Sequence, residues 1–339
     1  MHKPDATMRA MLRTLRLYFI ALVIVWIALG VAADIYSQRV PAYSHSIMTG
    51  ILPAFWIESI FFVGAGFEPV RIAFGRMRSR FAQSALLLSS AIAPYLVATT
   101  AVRTFESHAF YIFVGYSAVV SFWYCLAPRR IAYDIGLLAI CGAALVLRIF
   151  PRLYVAPVPQ LEISVLGHLM LIHVGIFALL VQRELRVGPV SFWPTQTEWR
   201  EGIIQFVWAI LPLVILGWAI RFAVLAPRSA PPLTWTALAL GYFFGVLWVV
   251  ALSEDLFRSV ITVGLLAGGQ PKVVAIVVSA LLFGCAHLWY RDFPNWRFFV
   301  LASVAHLFYS IAFVRAGSVR ASMVTHALVV TSWRMLFRS

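Results

Sequence analysis

The chain has 339 residues, 62% of them hydrophobic and 12% charged, with a mean hydropathy of +0.89. Soluble domains run nearer about 45–50% apolar and about 25% charged, so a water-soluble globule of this length is excluded and a bilayer must cover the excess apolar surface. The net charge of +14 is spread as short basic clusters between apolar runs. That pattern fits cytoplasmic loops and contact with anionic lipid headgroups and excludes nucleic acid as a partner.

A helix crosses the hydrocarbon with about 20 apolar residues, and only helices or closed barrels satisfy the backbone there. The apolar runs are continuous and do not alternate, which excludes a barrel. The first predicted span, 16–33, follows Lys3, Arg9, Arg13 and Arg16 and reads as an uncleaved span, not a removed signal peptide. Further spans are predicted at 46–66, 81–102, 108–127, 131–150 and 161–182. Residues 1–183 thus form an N-terminal membrane region of about six spans; the sequence gives it no role. The stretch 184–201, with Glu184, Arg186, Pro189, Pro194, Glu198, Arg200 and Glu201, reads as a polar linker. Spans at 203–225, 234–263, 273–289, 297–314 and 318–336 follow within 202–339. The fold class expected is an all-α, polytopic transmembrane bundle of about eleven spans.

Basic residues are denser in one alternating set of loops, above all Arg71, Arg76, Arg78 and Arg80. The positive-inside rule then places the N-terminus in the cytoplasm, as in a multi-pass protein of a bacterial inner membrane. Cys125, Cys141 and Cys285 lie in apolar runs without CxxC spacing, so they form neither a disulfide framework nor a zinc site.

Ionisable groups inside a membrane mark functional sites by default. Here they gather in the last spans as Glu254, Asp255, Arg258, His287, His306 and His326. At about 1.5 Å per residue, Glu254 lies about 18 Å and His287 about 21 Å from the Lys272 end, with His306 and His326 each about 12 Å from the Arg315/Arg320 loop at that same end. Antiparallel neighbours would hold all four at similar depth. Each residue alone has a structural explanation: Glu254 and Arg258 are spaced i,i+4 as an ion pair, and His168, His173, Glu58 and Glu162 are read as packing residues. The shared depth of the four favours a site. No HExxH, GxSxG or GxxxxGK[ST] motif is present. A glutamate with histidines on neighbouring helices can nonetheless activate water, the carboxylate as general base and imidazole as aligner or oxyanion partner.

Three segments carry a resemblance. Glu254-Asp255-Leu256-Phe257-Arg258, then Phe283 through His287, then His326 resemble the EExxxR, FxxxH and HxxxN motifs of the CAAX protease and bacteriocin-processing family. The run Arg315 to Met323 is similar to the stretch before that family's last histidine. The resemblance covers about residues 234–336. Two positions depart from the pattern. Arg258 is four residues after Glu254 where the family has five, so alignment on Arg258 places Ser253 at the first glutamate and Glu254 at the second. Val330 stands where the family has asparagine. Either Glu254 or Asp255 can therefore be the acid that meets the histidines.

The resemblance implies an intramembrane endopeptidase, a hydrolase acting on a membrane-anchored protein or peptide such as a prenylated CAAX tail, a leader or a C-terminal sorting tail. It implies Glu254, His287 and His326 as catalytic, with Asp255, Arg258, His306 and Phe283 in support. No cofactor is assigned. A divalent metal is not favoured, although a glutamate and two histidines make a possible zinc ligand set. Two other functions fit the same residues: a transporter with a buried Glu/His/Arg layer, and a non-catalytic membrane scaffold.

Overall fold

The structure, a computed structural model, describes residues 6–40, 42–159, 161–291 and 293–338. Lys3 and the side chain of Arg9 lie outside them. The chain divides into two compact units, Met1–Leu185 and Arg186–Ser339. Helices dominate both, and eight of the described helices are long and apolar enough to cross a membrane.

The first unit contains α1 (Ala6–Arg39), α2 (His45–Ala65), α3 (Glu68–Gly75), α4 (Arg80–Ala101), α5 (Ser107–Leu126), α6 (Ile131–Val146), α7 (Ile149–Leu153) and α8 (Val165–Phe177), the last continued by a π-helical turn over Ala178–Gln182. The basic stretch at 71–80 is partly helical, because α3 runs through it, and Arg71 Nη1 donates to Ala65 O at 2.6 Å. The span predicted at 131–150 stops at Val146, and Arg148 turns into the left-handed region (φ 51°) before α7. The span predicted at 161–182 is helical only from Val165.

Several charged and polar groups inside this unit are paired, as the low dielectric favours. Glu58 Oε1 lies 2.6 Å from His173 Nδ1, and His173 Nε2 lies 2.9 Å from Ser90 Oγ, with all three residues buried. Arg183 reaches Asp134 at 2.7 Å, and the Tyr124 hydroxyl donates to the same carboxylate at 2.8 Å. His168 holds Ser164 O at 3.0 Å. Glu58, His168 and His173 thus sit as packing residues, whereas Glu162, read the same way, is exposed just ahead of α8.

The second unit contains α9 (Gln196–Ala219), a two-residue strand β1 (Val224–Leu225), α10 (Pro232–Gly245), a π-helical stretch over Val246–Ala251, α11 (Leu252–Ala267), α12 (Lys272–Ala286), α13 (Trp296–Ala316), α14 (Val319–Leu336) and β2 (Phe337–Arg338). Local sequence sets the boundaries. Thr195 and Glu198 form a capping box, so α9 begins inside the stretch read as polar linker. Pro231-Pro232 and Pro271 open α10 and α12, where a missing N–H costs nothing. Asn295 caps α13, and Gly317 at φ 62° ends it. Ser318 then caps α14.

α10, the π stretch and α11 run on as one apolar helical segment, Pro232–Ala267. α14 carries Arg320, His326 and Arg334 and packs against α9, α11 and α13. Ala209, Leu213, Leu301, Ala305, Tyr309 and Val329 form the core between α9, α13 and α14. Because lipid tails are as apolar as leucine, association of these helices depends on close packing. Glycine supplies it at two crossings. A Cβ on Gly202 would lie 2.6 Å from Val324 Cβ, and one on Gly284 would lie 2.0 Å from Ser303 Oγ. Arg320 ties α14 to the start of α9 through Glu198 at 2.8 Å and to Ser191 Oγ at 2.8 Å. Trp208, Leu211, Ile215 and Trp218 remain exposed on α9, as a lipid-facing stripe requires.

Candidate active site

α11, α12, α13 and α14 bring the candidate residues to one place in the second unit. A cavity of about 510 Å³ is lined by Glu254, Phe283, His287, Tyr309, His326 and Val330, among others. Glu254 stands one turn beyond the π-helical stretch. Such turns widen a helix and recur at functional sites.

The two acids of the motif have different surroundings. The Glu254 side chain is 39% exposed, and that exposure opens into the cavity. The Asp255 side chain is 1% exposed and lies behind it. Arg258 keeps the i,i+4 ion pair with Glu254 at 3.8 Å to Oε2, and it makes a closer, direct contact of its Nη2 with Asp255 Oδ1. The reason is local: Arg258 Nε donates to Glu254 O at 2.6 Å, which turns the guanidinium toward the i,i+3 side chain. Ser253 does not face the cavity. Its hydroxyl donates to the carbonyls of Val249 and Val250.

His326 bridges the two acids. Its Nδ1 lies 3.4 Å from Asp255 Oδ1, and its Nε2 lies 3.9 Å from Glu254 Oε2. A carboxylate at Nδ1 places the ring proton there and leaves Nε2 as the acceptor. The 3.9 Å gap is too long for a direct hydrogen bond, but one water can bond both atoms across it. His287 caps α12 and is fixed by Nδ1 against Phe283 O at 2.9 Å, so its Nε2 is the nitrogen available to the cavity. Phe283 is the hub of the site. The Arg258 guanidinium lies 3.7 Å from its ring centroid, with the rings of His287 and His306 at 4.2 and 4.9 Å.

His306 is not part of the cavity lining. It is buried between α12 and α13, with Nε2 held by Ser279 Oγ at 3.2 Å and Ser310 Oγ at 3.0 Å. Of the four residues grouped by depth, Glu254, His287 and His326 therefore share the cavity. Tyr309, absent from the motif reading, lines it and stacks on His326 with centroids 4.6 Å apart. Its one sequence signal is the i,i+3 spacing from His306, which puts it near that helix face. Val330, one turn after His326, does face the cavity, so the position where the motif carries asparagine is apolar here. Among the described residues, no group of three or more His, Cys, Asp and Glu side chains is arranged to hold a metal ion.

Residues 234–332 match the family model described as type II CAAX prenyl endopeptidase Rce1-like. The matched segment contains Glu254, Asp255, Arg258, Phe283, His287, His306 and His326, and it is the stretch in which the motifs resemble the CAAX protease family, so that resemblance is borne out. No curated protein and no solved structure matches the chain. The protein is a multi-pass membrane protein with a CAAX-protease-type segment in its second unit.

Proposed function

We propose that this protein is an intramembrane endopeptidase that hydrolyses a peptide bond of a membrane-associated substrate with water activated by Glu254. The observation that carries the reading is the placing of the Glu254 carboxylate and the His287 and His326 imidazoles in one cavity, with a buried Asp255–Arg258 pair behind them. A water between Glu254 Oε2 and His326 Nε2 donates one proton to each and keeps a lone pair for the scissile carbonyl carbon. Glu254 takes the water proton as the carbon–oxygen bond forms, then returns it to the leaving amine.

Asp255 acts through His326. Its contact at Nδ1 orients the ring, as a buried acid orients the base in hydrolytic triads. His287 spends its Nδ1–H on Phe283 O, so it meets a developing oxyanion through Nε2–H only as imidazolium. The chemistry uses no cofactor in this reading. The acid that would complete a compact ligand set, Asp255, is engaged by Arg258. The N-terminus is placed in the cytoplasm of a bacterial inner membrane, on the strength of the arginines at 71–80. The substrate class is a protein or peptide tail presented at the membrane: CAAX-like, leader or C-terminal sorting signal.

The deciding experiment compares membranes carrying wild-type protein with membranes carrying Glu254→Gln, using mass spectrometry to find peptide termini that appear only with the wild type. A well-expressed Glu254→Gln protein that yields the same termini at the same rate would end this reading.

A further inference from the structure

The cavity that holds Glu254 has a second chemical character that the hydrolysis itself does not need. Its lining contains one acid, Glu254, and four arginines, Arg228, Arg291, Arg334 and Arg338. The arginines come from the segment after α9, the turn after α12 and the end of α14, so they gather at one end of the unit. Three other arginines of this unit have carboxylate partners: Arg258 with Asp255, Arg315 with Glu201 and Arg320 with Glu198. Among the described residues, no carboxylate lies within ion-pair distance of Arg228, Arg334 or Arg338, and all three are exposed.

These three cations are held together by the backbone. Arg228 Nε donates to Arg334 O at 3.1 Å, and Arg228 N donates to Met335 O at 2.9 Å. The guanidinium carbons of Arg228 and Arg334 lie 5.3 and 5.6 Å from the same Tyr242 ring. Arg338 is fixed in β2, paired with Val224 of β1. Gathering like charges is unfavourable unless an anion shares them, and guanidinium forks match a carboxylate in two-point hydrogen bonding.

We infer that the mouth of this cavity seats a carboxylate of the bound peptide, from an acidic side chain or a free C-terminus, against Arg228, Arg334 and Arg338. The inference rests on the protease reading for the identity of the ligand as a peptide. It fixes the polarity of binding: the negative end lies at the arginines and the reacting bond lies at Glu254. Arginines near a membrane surface also fit phospholipid headgroups. These line the same cavity as Glu254, which favours the peptide.

The test uses the full chain in phosphatidylcholine nanodiscs and three N-terminally fluorescent hydrophobic decapeptides. One has a free C-terminus, one is C-terminally amidated, and one is amidated with a glutamate two residues from its end. Anisotropy should show at least one acid-bearing peptide binding about tenfold more tightly than the neutral amide, as one or two charge-assisted hydrogen bonds provide. The acid-bearing peptide that holds the advantage names the source of the carboxylate. Added salt should shrink the advantage. The combined variant Arg228→Gln, Arg334→Gln and Arg338→Gln should erase it, whereas lysine at the same three positions should keep part of it. Glu254→Gln should bind with the same preference, so a failure of cleavage and a failure of this proposal give different results. The proposal is overturned if the three peptides bind wild type alike, if none binds, or if the preference survives in the glutamine variant. It is equally overturned if that variant's only change is weaker retention of phosphatidylglycerol in mixed-lipid nanodiscs, which would assign the arginines to headgroups.

Discussion

The guanidinium of Arg258 closes on the carboxylate of Asp255 and stands 3.8 Å from Glu254 Oε2. The two acids are thereby divided in role. Asp255 is buried with a charge partner and touches His326 Nδ1, and Glu254 is left to face the cavity. Removing one member of a buried pair typically costs about 3–5 kcal/mol, whereas removing both members is far milder. Arg258→Gln and Asp255→Asn should therefore each lower the melting temperature of the purified protein, and the double variant should recover a large part of the loss. Additive losses in the cycle would mean the pair is not the energetic unit the geometry describes.

Glu254 and Asp255 should differ in how they fail. Glu254→Gln removes the acid that opens into the cavity, and loss of a general base costs about 10²–10⁴ in rate. Its stability should stay close to wild type, because the side chain is 39% exposed. Asp255→Asn should retain measurable cleavage and lose stability. The assignment fails if the pattern is reversed, with Asp255→Asn stable and dead while Glu254→Gln remains active.

These two residues also mark how far the sequence could be read. Long apolar runs and the order of the three motifs were legible, because span length and residue identity are one-dimensional quantities. The depth argument brought Glu254, His287 and His326 together but did not show that His306 sits behind the cavity, against Phe283, since rise along a helix says nothing about rotation around it. Rotation sets the closer partner of Arg258 as well: i,i+4 spacing points to Glu254, which it meets at 3.8 Å, and one backbone hydrogen bond to Glu254 O turns the guanidinium into direct contact with Asp255. The π-helical stretch at Val246–Ala251 has no sequence signature. Tyr309 and the arginines at the mouth depend on contacts between segments far apart in the chain.

The orientation is open to direct labelling. Arg78 is exposed between α3 and α4, while the neighbouring Ser79 hydroxyl caps α4 by accepting from Ala82 N. Arg78→Cys is therefore the gentler probe, in a background with Cys125, Cys141 and Cys285 replaced. A membrane-impermeant maleimide should leave it unlabelled in intact cells and label it after permeabilisation. Full labelling in intact cells would reverse the orientation drawn from the arginine clusters.

Cleavage should persist after dialysis against EDTA. Glu254 Oε2 and His326 Nε2 lie 3.9 Å apart, and Asp255, which also contacts His326, is already bonded to a cation. Activity lost to the chelator and restored by added zinc would move the mechanism to a metal-bound water.

The placing of His287 depends on a residue that carries no side chain. Gly284 lies three positions earlier on α12, where that helix meets α13, and a Cβ there would come within 2.0 Å of Ser303 Oγ and 2.7 Å of Phe299 O. Gly284→Ala must push the helices apart or rotate α12, and overpacking of this kind costs about 1–3 kcal/mol. Either movement carries Phe283 and His287 with it, because Phe283 O holds His287 Nδ1 and the Phe283 ring lies under Arg258. The variant should melt at a lower temperature and cleave more slowly than wild type, with both effects present in one sample. Adding Ser303→Ala should recover only part of the loss, since the clash with the Phe299 carbonyl is a backbone contact that this second change cannot relieve. A Gly284→Ala protein with wild-type melting and wild-type cleavage would show that the close crossing of α12 and α13 is not what sets the geometry of the site.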